Sequence, residues 1–173
     1  MLFWVIIAVV LIFGVVVFRG SPYVPSQKRY LRQALTELYK VSGKDVLIDI
    51  GSGDGVVLRE AARLGARAVG YEINPLLVVI SKLLSHRYKK IKVNLADFWR
   101  AKLPDDTTVI YVFSVTRDVN GITKRLQSEV NRLGHKVSLI SYGSEFESLK
   151  LVKKSGAYFL HTVSPLQPDK AQV

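Results

Sequence analysis

The sequence has no cysteine and only three histidines. The lack of cysteine excludes disulfide bonds, cysteine-ligated zinc and a thiol nucleophile. The histidines, His86, His135 and His161, do not have metal-ligand spacing, so no metal site is expected. Acidic residues are also few, with 14 against 25 lysines and arginines. The resulting net charge of +11 predicts an anionic neighbour, which could be nucleic acid, lipid or an acidic protein.

The stretch that determines the fold class lies at residues 46–55. A short apolar run ends in Asp49, and glycines then alternate at Gly51, Gly53 and Gly55. This pattern predicts a buried parallel strand, a glycine turn and the start of a helix. Bare backbone in such a turn can approach a ligand closely. The dinucleotide pattern G-x-G-x-x-G is not met, because Val56 stands where its third glycine is required.

A second acid follows at the end of the next predicted strand. Glu72 ends the run 67–72, about the ~20 residues downstream at which a ribose-binding acid is expected. Asn74 and Pro75 then predict a helix start, with Asn74 as the cap. Because this helix is apolar nearly all round, we expect it to be well buried against the sheet.

The rest of the chain continues the alternation of strands and helices. Strands are predicted at 91–95, 107–113 and 136–142, a helix at 121–133 and a terminal hairpin within 149–161. Asp97 and Phe98 follow the third strand and Ser114 follows the fourth, so all three are expected near the glycine turn. An acid and a ring there suit an adenine base, and the alternative is a surface acid beside an aromatic core residue.

The N-terminal part is expected to be a membrane anchor. Residues 2–18 are apolar and uncharged, which predicts an uncleaved transmembrane helix in contact with lipid. The basic residues that follow predict a single-pass protein whose catalytic domain faces the cytosol or the mitochondrial matrix. The predicted domains are an anchor at 1–19, a connector and helix at 20–43 and the main domain at 44–173.

The pattern Asp49-x-Gly51-x-Gly53-x-Gly55 resembles the first motif of class I S-adenosylmethionine-dependent methyltransferases. The resemblance implies a Rossmann-like, seven-stranded α/β sandwich with a C-terminal antiparallel hairpin, and S-adenosylmethionine as the cofactor. The residues implied to bind this cofactor are Asp49, Gly51, Ser52, Gly53, Gly55, Glu72, Ile73, Asp97, Phe98 and Ser114. Ser114 is also expected to line the mouth through which the methyl group is transferred.

Further segments resemble a narrower family. With the glycine turn, residues 22–26 (PYVPS), 70–75 (GYEINP) and 97–99 (DFW) are similar to the membrane-anchored lysine methyltransferases of the adenine nucleotide translocase and the ATP synthase c-subunit. This implies lysine N-methylation of a small integral membrane protein, with no general base required.

Two alternatives remain open. One is a nucleic-acid or ribosome-associated methyltransferase, and the other is a non-catalytic membrane-tethered scaffold. The fourth strand ends in Phe113-Ser114-Val115-Thr116. Enzymes that methylate adenine, cytosine or glutamine amino groups carry an Asp/Asn-Pro-Pro-aromatic turn there, so its absence argues against a nucleic-acid partner.

Overall fold

The computed structural model describes residue 4 and residues 28–166 of the chain. The helices are α1 (Lys28–Gln33, continued by a π-helical turn at Ala34–Leu38), α2 (Val56–Arg63), α3 (Pro75–Ser85) and α4 (Val119–Leu133). The strands are β1 (Val46–Ile50), β2 (Arg67–Glu72), β3 (Ile91–Leu95), β4 (Val109–Phe113), β5 (Val137–Tyr142), β6 (Lys150–Ser155) and β7 (Tyr158–Val163).

These strands form one mixed sheet in the order β3-β2-β1-β4-β5-β7-β6. The first five positions are parallel, and β7 lies antiparallel between β5 and β6. The parallel carboxyl ends of β1 to β4 therefore share one edge of the sheet. The seven-stranded sheet with its terminal hairpin is as predicted, and the link between β5 and β6 is a loop whose Phe146 is fully buried.

Helices cover the two faces of the sheet unequally. Apolar residues of α1, α2 and α3 pack in one core cluster, whereas α4 packs in the other. Neighbouring residues of β1 alternate between the clusters, with Leu47 in the first and Ile48 in the second. The core thus has two layers, and α1 shares the first of them with the sheet.

The connection from β3 to β4 is held by side chains of α4. Glu129 accepts a hydrogen bond from the backbone N–H of Leu103 at 2.9 Å and forms ion pairs with Arg125 and Arg132. Arg125 also donates to the carbonyl of Ala101, and Arg132 donates to that of Leu103. Buried backbone groups need hydrogen-bond partners. In this loop, which has no regular secondary structure, side chains of α4 supply them.

The expected burial of α3 is wrong. Only Val78, Ser81 and Ser85 of this helix are buried. Its large apolar side chains are exposed instead: Leu76, Val79, Leu83 and Leu84. The reason is that α3 lies over β2 and β3 near the margin of the sheet, and its small serines face inward.

The predicted localisation is corrected by the structure. No helix of the described residues is both long enough and apolar enough to span a bilayer. A span needs about 20 apolar residues, whereas α4, the longest described helix, has 15 and carries charged side chains. The run that led to the prediction, residues 2–18, lies outside the described residues except for Trp4.

Candidate functional site

The glycine turn forms directly after β1. Gly51, Gly53 and Gly55 all have positive φ values, 72°, 52° and 81°, which side chains disfavour. The backbone N–H groups of Gly51 and Ser52 both donate to the carbonyl of Tyr71 on β2, at 2.9 and 3.1 Å. Neighbouring strands therefore determine the path of the turn, and the space beside Gly51 is open.

The carboxylate of Glu72 joins this turn to the next one. One oxygen accepts from the N–H of Gly53 at 2.9 Å, and the other accepts from the N–H of Asn74 at 2.8 Å. The residue is buried at the end of β2. Two predicted site residues, Gly53 and Glu72, are thus brought into direct contact.

Asn74 begins α3 as predicted. Its side-chain oxygen accepts from the N–H groups of Leu76 and Leu77, and Pro75 occupies the first helical position. Ile73, between Glu72 and this cap, is partly exposed. The cap therefore holds an apolar side chain open to solvent next to the buried carboxylate.

Asp49 is a second buried carboxylate, and its Oδ2 has no hydrogen-bond partner. Burial raises the pKa of Asp49 well above its ordinary value, and the charges of Glu72 and Asp54 raise it further. A cationic group brought near this carboxylate would favour its charged form.

Ser52 packs inside the turn. Its hydroxyl is buried without a partner and lies against Gly70 of β2, where a Cβ would be only 2.6 Å from Oγ. A larger residue at position 70 would therefore require Ser52 and Leu58 to shift.

Arg59 holds the turn from the other side, and sequence reasoning missed it. Its guanidinium forms an ion pair with Asp54 at 2.9 Å and also donates to the carbonyl of Asp54. The signal in the sequence was an arginine one turn into the helix after an acidic turn residue. The contact stabilises the position of Asp54 between Gly53 and Gly55.

The residues after β3 divide between surface and core. Asp97 is exposed, and its Oδ1 accepts from the N–H of Trp99 at 3.0 Å. Phe98 is buried in the core cluster of α4, with the Arg125 guanidinium 5.9 Å from its ring centroid. Coverage of an adenine by Phe98 stays a prediction, since only 6% of this residue is exposed.

Ser114 lies just after β4 and is almost fully buried. Its N–H donates to the carbonyl of Tyr142 at 3.1 Å, and its hydroxyl has no partner. A Cβ at Gly143 would be 2.8 Å from the carbonyl of Ser114. The ends of β4 and β5 are therefore packed tightly, and the described contacts do not link Ser114 to Glu72.

The arrangement fits a nucleoside joined to an amino acid. Open backbone at Gly51 and carboxylates at the ends of β1 and β2 suit hydroxyl and ammonium donors. Among the described residues, no group of three or more histidines and acids could hold a metal ion.

Comparisons with known proteins identify similar chains. A family model described as the ANTKMT methyltransferase domain matches residues 49–152. The chain is 33% identical over 112 residues to the ATP synthase c-subunit lysine N-methyltransferase of Xenopus laevis, covering 63% of this chain and 48% of that protein. The protein of the same name from Homo sapiens is 32% identical over 112 residues, with 63% and 47% covered. The chain spans about half the length of these curated relatives.

A solved structure is also similar. It is an RNA methyltransferase from Salinibacter ruber in complex with S-adenosyl-L-homocysteine, with a TM-score of 0.73 and 25% identity. The match covers 87% of this chain and 100% of that one. The bound molecule is the demethylated form of S-adenosylmethionine, and the predicted cofactor is thereby confirmed.

Proposed function

Because the chain belongs to the ANTKMT methyltransferase domain family, we propose that it transfers methyl groups from S-adenosylmethionine to a lysine side chain of a protein. Membership confirms the class of domain that the glycine motif predicted. The curated relatives are named as lysine N-methyltransferases of the ATP synthase c-subunit, which makes that small protein the first substrate to test.

The observation that carries the proposal is the carboxylate of Glu72, held between two turns by the N–H groups of Gly53 and Asn74. Each carboxylate oxygen has a second acceptor site, so Glu72 can also accept from the two ribose hydroxyls. We assign the ribose to Glu72 on this ground, with Ile73 against the adenosine.

The remaining roles follow the order of the strands. Asp49 and the turn residues Gly51, Ser52, Gly53 and Gly55 would hold the methionine part of the cofactor. Asp97 would accept from the adenine amino group and Phe98 would support its ring. Ser114 would line the mouth at the end of β4. These assignments rest on the rule that ligands bind beyond the carboxyl ends of parallel strands.

The protein's part in the reaction is positioning. When bound, S-adenosylmethionine would supply an electrophilic methyl group on its sulfonium, and the chain's own residues would orient a lysine nitrogen with a free lone pair toward it. The lysine must first release its ammonium proton to solvent, and a partly apolar mouth lowers the pKa of that ammonium. Alignment of the amine about 3–3.5 Å from the methyl carbon is the remaining requirement.

Calorimetry on Glu72→Ala tests the cofactor site. We expect cofactor affinity to fall tenfold to hundredfold, since the loss of a charged hydrogen-bond partner costs about 1.5–3 kcal/mol. Glu72→Gln, which keeps one carbonyl acceptor, should lose less, and Glu147→Ala on an exposed loop serves as the matched control. Unchanged affinity in a folded Glu72→Ala protein would contradict the assignment.

A transfer assay tests the substrate. The full chain is incubated with radiolabelled S-adenosylmethionine and either the ATP synthase c-subunit or total RNA, and the products are digested with protease or nuclease. Protease-sensitive label that is lost when the lysines of the substrate protein are changed to arginine supports the proposal. Label on RNA alone would overturn it.

RNA is the second candidate substrate for a specific reason. The similar structure from Salinibacter ruber is described as an RNA methyltransferase, and this chain carries a net charge of +11. RNA binding through phosphate contacts would weaken steeply as salt rises, whereas methylation of an apolar protein would not. A salt titration of both activities therefore separates the two candidates.

A further inference from the structure

Trp99 is a large aromatic residue that the cofactor assignments leave unused. It follows Asp97 and Phe98 in the loop after β3, and 51% of it is exposed. Its ring meets that of Phe98 at a centroid distance of 5.7 Å and a tilt of 55°. Phe98 is the buried residue of this pair, so Phe98 and not Trp99 fills the hydrophobic core here.

The indole is nevertheless held in place. Its backbone N–H donates to Asp97 Oδ1, and its ring lies over Gly121 in the first turn of α4. A Cβ at Gly121 would be 3.2 Å from Cη2 of the indole and 3.6 Å from Cζ3. Glycine at this position leaves room for the ring to lie directly on the helix backbone.

The topology places Trp99 after the carboxyl end of β3, at the edge of the sheet that carries the candidate site. Trp99 leaves the carboxyl end of β3, while Gly121 follows shortly after the carboxyl end of β4. Strands β2 and β1 lie between β3 and β4 in the sheet, so the contact of Trp99 with Gly121 joins elements on either side of these two strands. The glycine turn and Glu72 lie at the carboxyl ends of β1 and β2.

We propose that Trp99 is a specificity-determining residue whose exposed face binds the side chain of the substrate lysine. This inference rests on the proposed function. The four methylenes of lysine suit the apolar face of an indole, and the ring quadrupole attracts the ammonium of the arriving lysine before it releases its proton. The attraction returns after methylation, because a methylated ammonium is again cationic.

Steady-state kinetics with the full chain test this role. For Trp99→Ala we expect the KM for the lysine substrate to rise about twofold to fivefold, with a smaller rise for Trp99→Phe. Gly121→Ala should raise KM in the same direction, because the added methyl displaces the indole without removing it. Leu95→Ala, which truncates another exposed apolar residue at the end of β3, is the matched control and should change nothing.

Two readouts separate this role from a structural or cofactor-binding one. Calorimetric affinity for S-adenosylmethionine should be unchanged in all four variants. The sequence has two tryptophans, so Trp4→Phe leaves Trp99 as the single tryptophan, and a trimethyl-lysine peptide should change the tryptophan fluorescence.

The outcomes are distinguishable. An active wild-type enzyme whose KM is unaffected by Trp99→Ala would overturn this inference and leave the proposed function standing. A parallel loss of cofactor affinity would also overturn it and place Trp99 in the cofactor site. If the wild-type enzyme methylates RNA and no lysine, the proposed function and this inference both fail.

Discussion

Helices α2 and α3 pack in the same core cluster but expose opposite kinds of residue. In α2 the buried face carries Val57, Leu58 and Ala61, as expected for an amphipathic helix. In α3 the buried residues are Val78 and two small serines, Ser81 and Ser85, whereas Leu76, Leu83 and Leu84 are exposed. Hydrophobic patterning therefore explains the orientation of α2 and fails for α3.

The difference comes from what each helix approaches. A Cβ at Gly55 would overlap the hydroxyl of Ser81, so α3 comes very close to the glycine turn. A large side chain at position 81 would displace the turn, whatever it gained by burial. Contact with the turn thus limits the size of the inner residues of α3. In α2 the inner residues are apolar because they are buried in the core.

The largest expected effect on stability is on α2. Leu58 is fully buried, and Leu58→Ala should lower the free energy of unfolding by about 2–5 kcal/mol through lost burial and the remaining cavity. Urea denaturation monitored by circular dichroism measures this. If Leu58→Ala lowers the free energy of unfolding by less than the same change at an exposed leucine, Leu58 does not contribute to the core as a buried residue should.

The next effect is on the inner face of α3. Ser81→Leu adds apolar volume against Gly55, and we expect overpacking to cost about 1–3 kcal/mol. Cofactor affinity should fall with it, because the glycine turn must move. If calorimetry shows normal affinity in this variant, the close contact does not position the turn.

A smaller change of opposite sign is expected for Ser81→Ala. The buried hydroxyl of Ser81 has no partner, so its removal should raise the free energy of unfolding by about 1 kcal/mol. The serine keeps the required size but not a required hydrogen bond. A destabilised alanine variant would mean that this hydroxyl has an essential polar role.

The smallest effect is expected on the outer face of α3. Leu83 is 67% exposed, and Leu83→Gln should change the free energy of unfolding by no more than about 0.5 kcal/mol. The same denaturation experiment gives the value, with Leu58→Gln as the buried counterpart. A large loss for Leu83→Gln would show that this leucine is covered in solution.

Much of the fold could be predicted because it depends on local signals. Alternating glycines and the Asn74-Pro75 start of α3 mark element ends through backbone conformation, and the structure has them where expected. The outward face of α3 could not be predicted, because apolar content does not reveal which neighbour lies on which side. Two features determine it, the position of α3 near the margin of the sheet and the contact of its inner residue Ser81 with Gly55, and both join residues that are distant in sequence.

The candidate site shows the same division. The spacing of Glu72 after the glycine turn predicted a nearby carboxylate, and the two are hydrogen-bonded. The ion pair of Arg59 with Asp54 and the position of Arg125 beside Phe98 were missed, since arginines on helices ordinarily indicate a solvated face. Phe98 is buried by its packing with α4, and the sequence around Phe98 gives no sign of that long-range contact.

The side-chain network of α4 has a consequence for dynamics. The amide of Leu103 is bonded to Glu129 of α4 and not to another backbone group. Its hydrogen exchange with solvent therefore depends on the opening of a helix that lies far along the chain, so the loop and α4 should exchange as one cooperative unit. A single slowly exchanging amide at position 103 would then report, by nuclear magnetic resonance, how often the loop between β3 and β4 separates from α4.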